Sequence, residues 1–203
     1  ELLVTDQPKK EICHDPDSHF WQMADKVNVK KSRFDKRNPE TIPEADNSHV
    51  AMSVNLDACI NCNLCVRACR EVQVNDVIGM GNRGHTSKVI FDFNDPMGDS
   101  TCVSCGECVQ ACPTGALMES NLLDEKGKKV VKPDRKVDSL CPYCGVGCQL
   151  TYNIKGEKIV SVDGRDGPAN NNRLCVKGRF GFDYIHNPER LTRPLVRKDG
   201  VPK

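Results

Sequence analysis

CINCNLCVRACR at 59–70 and CVSCGECVQACP at 102–113 each place four cysteines in the spacing C-x2-C-x2-C-x3-C, and CPYCGVGC at 141–148 adds three more. Thiols two or three residues apart suit a shared soft metal better than mutual disulfides, whose geometry is demanding. Three cysteines at i, i+3 and i+6 can curl one loop around an iron–sulfur cubane and offer one thiolate to each of three irons. The fourth cysteine of each run, Cys69 or Cys112, sits on the helix that leaves the loop and points the other way. Zinc is the plainer alternative, but zinc sites usually show two separated C-x2-4-C pairs, not four cysteines in eleven residues twice over. The third run, Cys141, Cys144 and Cys148, lacks a fourth ligand, and only Cys13 and Cys175 remain to supply it.

The paired runs, separated by 32 residues, resemble the bacterial two-cluster ferredoxins. In those proteins the outlying cysteine ligates the other cluster. The resemblance therefore implies crossed sets: Cys59, Cys62, Cys65 and Cys112 around one [4Fe-4S] cluster, and Cys69, Cys102, Cys105 and Cys108 around a second. It also implies a pseudo-twofold β-α-β-β-α-β fold over 52–120. Pro113 follows Cys112 as in the ferredoxin pattern, whereas Arg70 stands in the matching place after Cys69. Ile60, Leu64, Val66, Val103, Val109 and Leu117 are candidates for an apolar shell that would restrict solvent.

CPYCGVGC followed 26 residues later by Cys175 in LCVKGR is similar to the N-terminal cluster domain of the molybdopterin oxidoreductases. The wording of the motif is nearest the formate dehydrogenases of that family, and the likeness runs over 138–196. It implies a third [4Fe-4S] cluster on Cys141, Cys144, Cys148 and Cys175. It also implies an electron-relay role for Lys177, which lies two residues after the last cysteine. A bis-molybdopterin guanine dinucleotide centre with molybdenum or tungsten is then expected in the full-length subunit, outside this chain. A double-cubane unit followed by this domain resembles the catalytic subunit of cytoplasmic NAD(P)-linked formate dehydrogenases. The partners so implied are flavin/NAD-binding diaphorase-type subunits and a small iron–sulfur subunit. The large iron–sulfur subunit of respiratory complex I shares the order, and a free-standing polyferredoxin is the third alternative. One departure is visible. The upstream His/Cys3 cubane of those families would use Cys13 and His19 here, but its other two ligands would fall on Asp6 and Lys10, which cannot serve. His14 and His19 are read as surface or capping histidines and Cys13 as a spare thiol.

The elements that must position these thiols are short. DPDSHFWQMADKV at 15–27 reads as a helix capped by Asp17 or Ser18, and NPETIPEADNSH at 38–49 as a linker. KVIFDF at 88–93 alternates like a strand, and LTYNIKGEKIVSVDG at 150–164 reads as a hairpin turning at Gly156. The expected class is α+β: a double-cubane, bacterial-ferredoxin-like domain at 52–120, then a small β-rich [4Fe-4S] domain at 138–196. A helix and linker at 1–51 precede them, a linker at 121–137 joins them, and 197–203 open a further, pterin-binding domain.

Composition narrows the classes. Hydrophobic residues are 38% of the 203 and aromatics 5%, lean for a large core, so metal should carry part of the folding energy. The net charge of +1 gives no nucleic-acid footprint, and no run is long and apolar enough to span a membrane. With no apolar signal segment, thirteen cysteines point to a reducing cytoplasm. The start at Glu1 and the end at Lys203 suggest a piece of a longer polypeptide.

Overall fold

In the computed structural model, residues 1–36, 38–198 and 201–202 are described. Residues 199, 200 and 203 of the expected further domain lie outside them. Two helices open the chain, α1 (Leu2–Thr5) and α2 (His19–Lys26). Ser18 caps α2 by accepting the Trp21 N–H, which resolves the choice of cap in its favour. Trp21 and Ala24 on α2 bury against Val4 and Cys13. This N-terminal unit rests on the ferredoxin-like part through Gln7 Nε2 to the Ala58 carbonyl at 3.0 Å and Phe20 N–H to the Pro113 carbonyl at 2.9 Å.

The next elements run β1 (Met52–Val54), α3 (Leu64–Arg67), β2 (Ile78–Gly81), β3 (Lys88–Phe91), α4 (Glu107–Ala111) and β4 (Leu117–Glu119). The order is β-α-β-β-α-β, with β1 antiparallel to β4 and β2 antiparallel to β3. Val54 faces Leu117 and Ile78 faces Phe91 in register. These side chains, with Met52, Val66, Val77, Val89 and Met97, enclose Cys65, Cys69 and Cys108 in a single core. A π-helical turn, Ala68–Val72, continues α3 and carries Cys69.

The third unit is a meander of β5 (Arg135–Leu140), β6 (Gln149–Lys155) and β7 (Lys158–Gly164), followed by α5 (Val176–Phe180). β6 and β7 form the expected hairpin, with Gly156 in left-handed conformation at φ 58°. β5 takes in Arg135–Val137, which lie within the linker expected at 121–137. Its residues alternate poorly and stay exposed on an edge, so periodicity could not reveal it. Leu150, Val162, Leu174 and Phe182 form the small core here, with Cys141 and Cys148 against it. A strand pair at the end, β8 (Arg197–Lys198) and β9 (Val201–Pro202), completes the described chain. Among the described residues no helix is long and apolar enough to cross a membrane.

Candidate metal centres

The two cysteine runs fold into one repeated loop. Asn61 and Ser104 are left-handed at φ 54° and 56°, and two residues later Asn63 and Gly106 are left-handed at 62° and 71°. The turns at the first pair point main-chain N–H groups at sulfur: Asn61 N–H donates to Cys59 Sγ and Ser104 N–H to Cys102 Sγ, both at 3.4 Å. Val77 N–H reaches Cys69 Sγ at 3.3 Å, and Asn75 Nδ2 reaches Cys105 Sγ at 3.9 Å. Donors around sulfur stabilise thiolate charge and tune a cluster that it ligates.

The fold crosses the runs. One apolar cavity is lined by Cys59, Cys62, Cys65 and Cys112 together with Leu56, Ile60, Val89 and Leu117. Another is lined by Cys69, Cys102, Cys105 and Cys108 with Val77 and Ile78. Each thus gathers three cysteines of one run and the outlying cysteine of the other. Burial pushes the Cys65 thiol up to about 12, and the neighbouring Cys112, Cys59 and Cys62 add to it. Cys108 is also raised well above its ordinary value, by burial and then by Cys105 and Cys102. Thiolates so disfavoured need cationic partners, which is the chemistry a cluster's irons supply. Among the described residues no three His, Cys, Asp or Glu side chains stand close enough to hold one metal ion. The expected apolar shell is only partly formed: Val66 and Leu117 are buried, while Leu64 and Val103 are 40% and 51% exposed. The inward positions of these tight loops are taken by the cysteines themselves.

Cys141, Cys144 and Cys148 occupy the β5–β6 connection, closed by the Cys141 N–H to the Cys148 carbonyl at 2.8 Å. Cys175 is the N-cap of α5. The Cys148 thiol is raised by burial and then by the nearby Cys141, Cys144 and Cys175. This set differs from the other two in that none of its cysteines is buried and two, Cys144 and Cys175, are exposed. Lys177, on the first turn of α5, is exposed beside them. Gly178 packs against Leu174 and faces Cys141 Sγ, which would lie 3.7 Å from an added Cβ, whereas Gly145 meets nothing within 4 Å.

Cys13 is not gathered into any of these sets. It is 2% exposed, and its thiol donates to the Lys10 carbonyl at 3.1 Å. His19 is exposed at the start of α2. His14 departs from its expected surface or capping role: it is half-buried, with Nδ1 donating to the Gly127 carbonyl at 2.6 Å and Nε2 accepting from Asn55 Nδ2. It pins the N-terminal unit to the linker.

The sequence reading missed Arg179. This arginine is 1% exposed, sits on α5, and enters the ferredoxin-like unit. Nε donates to the Cys105 carbonyl at 3.4 Å, and Nη1 donates to Gln110 Oε1 at 2.8 Å and to the Val162 carbonyl at 3.0 Å. Nη2 lies 3.6 Å from Glu107 Oε2. Gln73 Nε2 reaches the Leu174 carbonyl at 3.2 Å on the same seam. The third cysteine set therefore meets the ferredoxin-like unit on the Cys69/Cys102/Cys105/Cys108 side. An arginine wedged between Gly178 and Phe180 was the available signal, but its partners Cys105 and Gln110 are about 70 residues away in sequence.

Residues 58–116 match the 4Fe-4S dicluster domain, and residues 134–187 match the molybdopterin oxidoreductase Fe4S4 domain. A curated relative from Staphylococcus haemolyticus named "Putative formate dehydrogenase" is 36% identical, over 71% of this chain and 18% of its own length. A Staphylococcus aureus protein of the same name is 34% identical, over 70% and 18%. A Bacillus subtilis protein named "Probable oxidoreductase" is 32% identical, over 80% and 21%. The chain thus spans about a fifth of the length of these relatives. A solved NAD+-reducing [NiFe]-hydrogenase in its H2-reduced state overlaps 59% of this chain and 51% of its own at 24% identity, with a TM-score of 0.49, a level that fixes neither fold nor partner.

Proposed function

In this chain a 4Fe-4S dicluster domain is joined to a molybdopterin oxidoreductase Fe4S4 domain, and we propose that it is the electron-relay portion of a formate dehydrogenase catalytic subunit. The reading is carried by the three four-cysteine sets, two enclosed in apolar cavities and one at the surface. Bound there, three [4Fe-4S] clusters would supply one-electron carriers. The chain's own residues do the rest. Cys65, Cys69 and Cys108 lie in the shared core, which keeps water from both ferredoxin-like sites. The left-handed turns at Asn61 and Ser104 hold N–H donors on ligand sulfur. Cys144, Cys175 and Lys177 stay exposed, which suits a face that exchanges electrons with a neighbour.

That neighbour, in this proposal, is a bis-molybdopterin guanine dinucleotide centre carrying molybdenum or tungsten, held by a part of the subunit outside this chain. At the other end, flavin/NAD-binding diaphorase-type subunits and a small iron–sulfur subunit take the electrons, in the cytoplasm. Lys177 places a cation where charge must pass between Cys175 and that neighbour. The test is anaerobic addition of formate to the full-length protein while its iron–sulfur EPR signals are followed. Reduction by formate supports the reading. Clusters that respond to dithionite or NADH but never to formate would move the chain to the complex I-type alternative.

A further inference from the structure

Arg179 joins two cysteine sets through one residue. Its main-chain N–H donates to the carbonyl of Cys175, in the third set, at 3.0 Å, while its Nε donates to the carbonyl of Cys105, in the second, at 3.4 Å. The side chain cannot swing away easily. A Cβ added at Gly106 would stand 2.9 Å from Arg179 Cγ, so the left-handed glycine leaves the arginine its channel. Three of the acceptors are neutral: Cys105, Gln110 and Val162. The carboxylate paired with it, Glu107, stands at 3.6 Å, Glu119 is a second carboxylate that feels the guanidinium, and neither Nη2 nor Glu107 Oε2 has a hydrogen-bond partner among the described residues. The guanidinium charge is therefore buried and only partly neutralised.

A positive charge inside a protein, shielded from salt and water, stabilises a neighbouring group that gains negative charge. A [4Fe-4S] cluster gains one negative charge on reduction, and its potential follows local charge and hydrogen bonding. Resting on the cluster reading above, we propose that Arg179 is a positioning and tuning residue that raises the reduction potential of the Cys69/Cys102/Cys105/Cys108 site and so makes it the acceptor facing the third set. Glu107 opposes it and sets the extent.

The two residues carry opposite charge in one contact, which separates tuning from mere support. In the full chain, purified with its clusters, the potential of this site is followed by reductive EPR titration, its signal identified by loss in C102S. Arg179→Gln is expected to lower the reduced-to-oxidised ratio at a fixed poise about tenfold, the scale of one buried, partly neutralised charge. Glu107→Gln is expected to raise it, and Arg179→Lys to stay nearer the wild type than Arg179→Gln. If R179Q does not fold, E107Q and R179K decide the matter alone. Equal or same-direction shifts in R179Q and E107Q, or an unmoved E107Q, overturn the tuning role. A wild-type protein with no cluster signal would instead defeat the cluster reading itself.

Discussion

Asn61 and Ser104 stand at matching places in the two cysteine runs and share one backbone: φ 54° and 56°, each donating its N–H to the sulfur two residues back at 3.4 Å. The left-handed region costs an ordinary residue roughly 1–2 kcal/mol, and asparagine tolerates it better than most. Asn61→Gly should therefore leave cluster content unchanged, while Asn61→Val should destabilise the loop by about that amount. The expected readout is partial loss of iron with the Cys102 site retained. Equal iron in N61V and wild type would show that the turn does not shape the site.

Crossing of the runs gives a second prediction. Cys112→Ser should disable the site with Cys59, Cys62 and Cys65, although Cys112 belongs to the other run. Cys69→Ser should disable the opposite site. EPR of the two variants should show complementary surviving signals, each with a loss of about four irons. Loss of both sites in both variants would mean that the two cannot fold apart. Survival of the crossed site in either would contradict the assignment.

Glu119 provides the pH dependence. Burial raises its carboxyl from 4.5 to about 7, Arg179 and Lys129 pull against that rise, and Asp163 adds to it. Because the folded state holds this proton more tightly than the unfolded state, the stability from it is greatest below pH 4.5 and falls as pH rises toward about 7. The loss is at most ~3 kcal/mol. Glu119→Gln cannot ionise, so its thermal midpoint relative to wild type should rise between pH 5 and pH 8. A constant difference across that range would show that Glu119 does not titrate there.

Lys177 is separable from the cysteines. Lys177→Ala should keep all iron and every EPR signal yet slow formate turnover of the full-length enzyme by about 10–100-fold, the usual scale for residues that support a metal site. Unchanged turnover would remove Lys177 from the electron path.

Much of this was legible because cysteine spacing is a local code. The C-x2-C-x2-C-x3-C runs, a helix within 15–27 (found at His19–Lys26) and the hairpin at Gly156 all rest on residues close in sequence. Arg179 was not legible, because its meaning lies in Cys105, Gln110 and Val162, and only the packed seam brings them to it. β5 escaped for a different reason: an exposed edge strand is held by its ladder to β6 and needs no apolar alternation. His14 shows the same limit, since its two partners come from the linker and from the end of β1.

Three cubanes held by twelve cysteines are the central feature of the proposed relay. Iron and acid-labile sulfide analysis of anaerobically purified protein, read alongside a reductive EPR titration, tests it directly. About twelve irons and three four-iron signals per chain are expected. About eight irons would remove the Cys141/Cys144/Cys148/Cys175 site, and zinc in place of iron would contradict the account altogether.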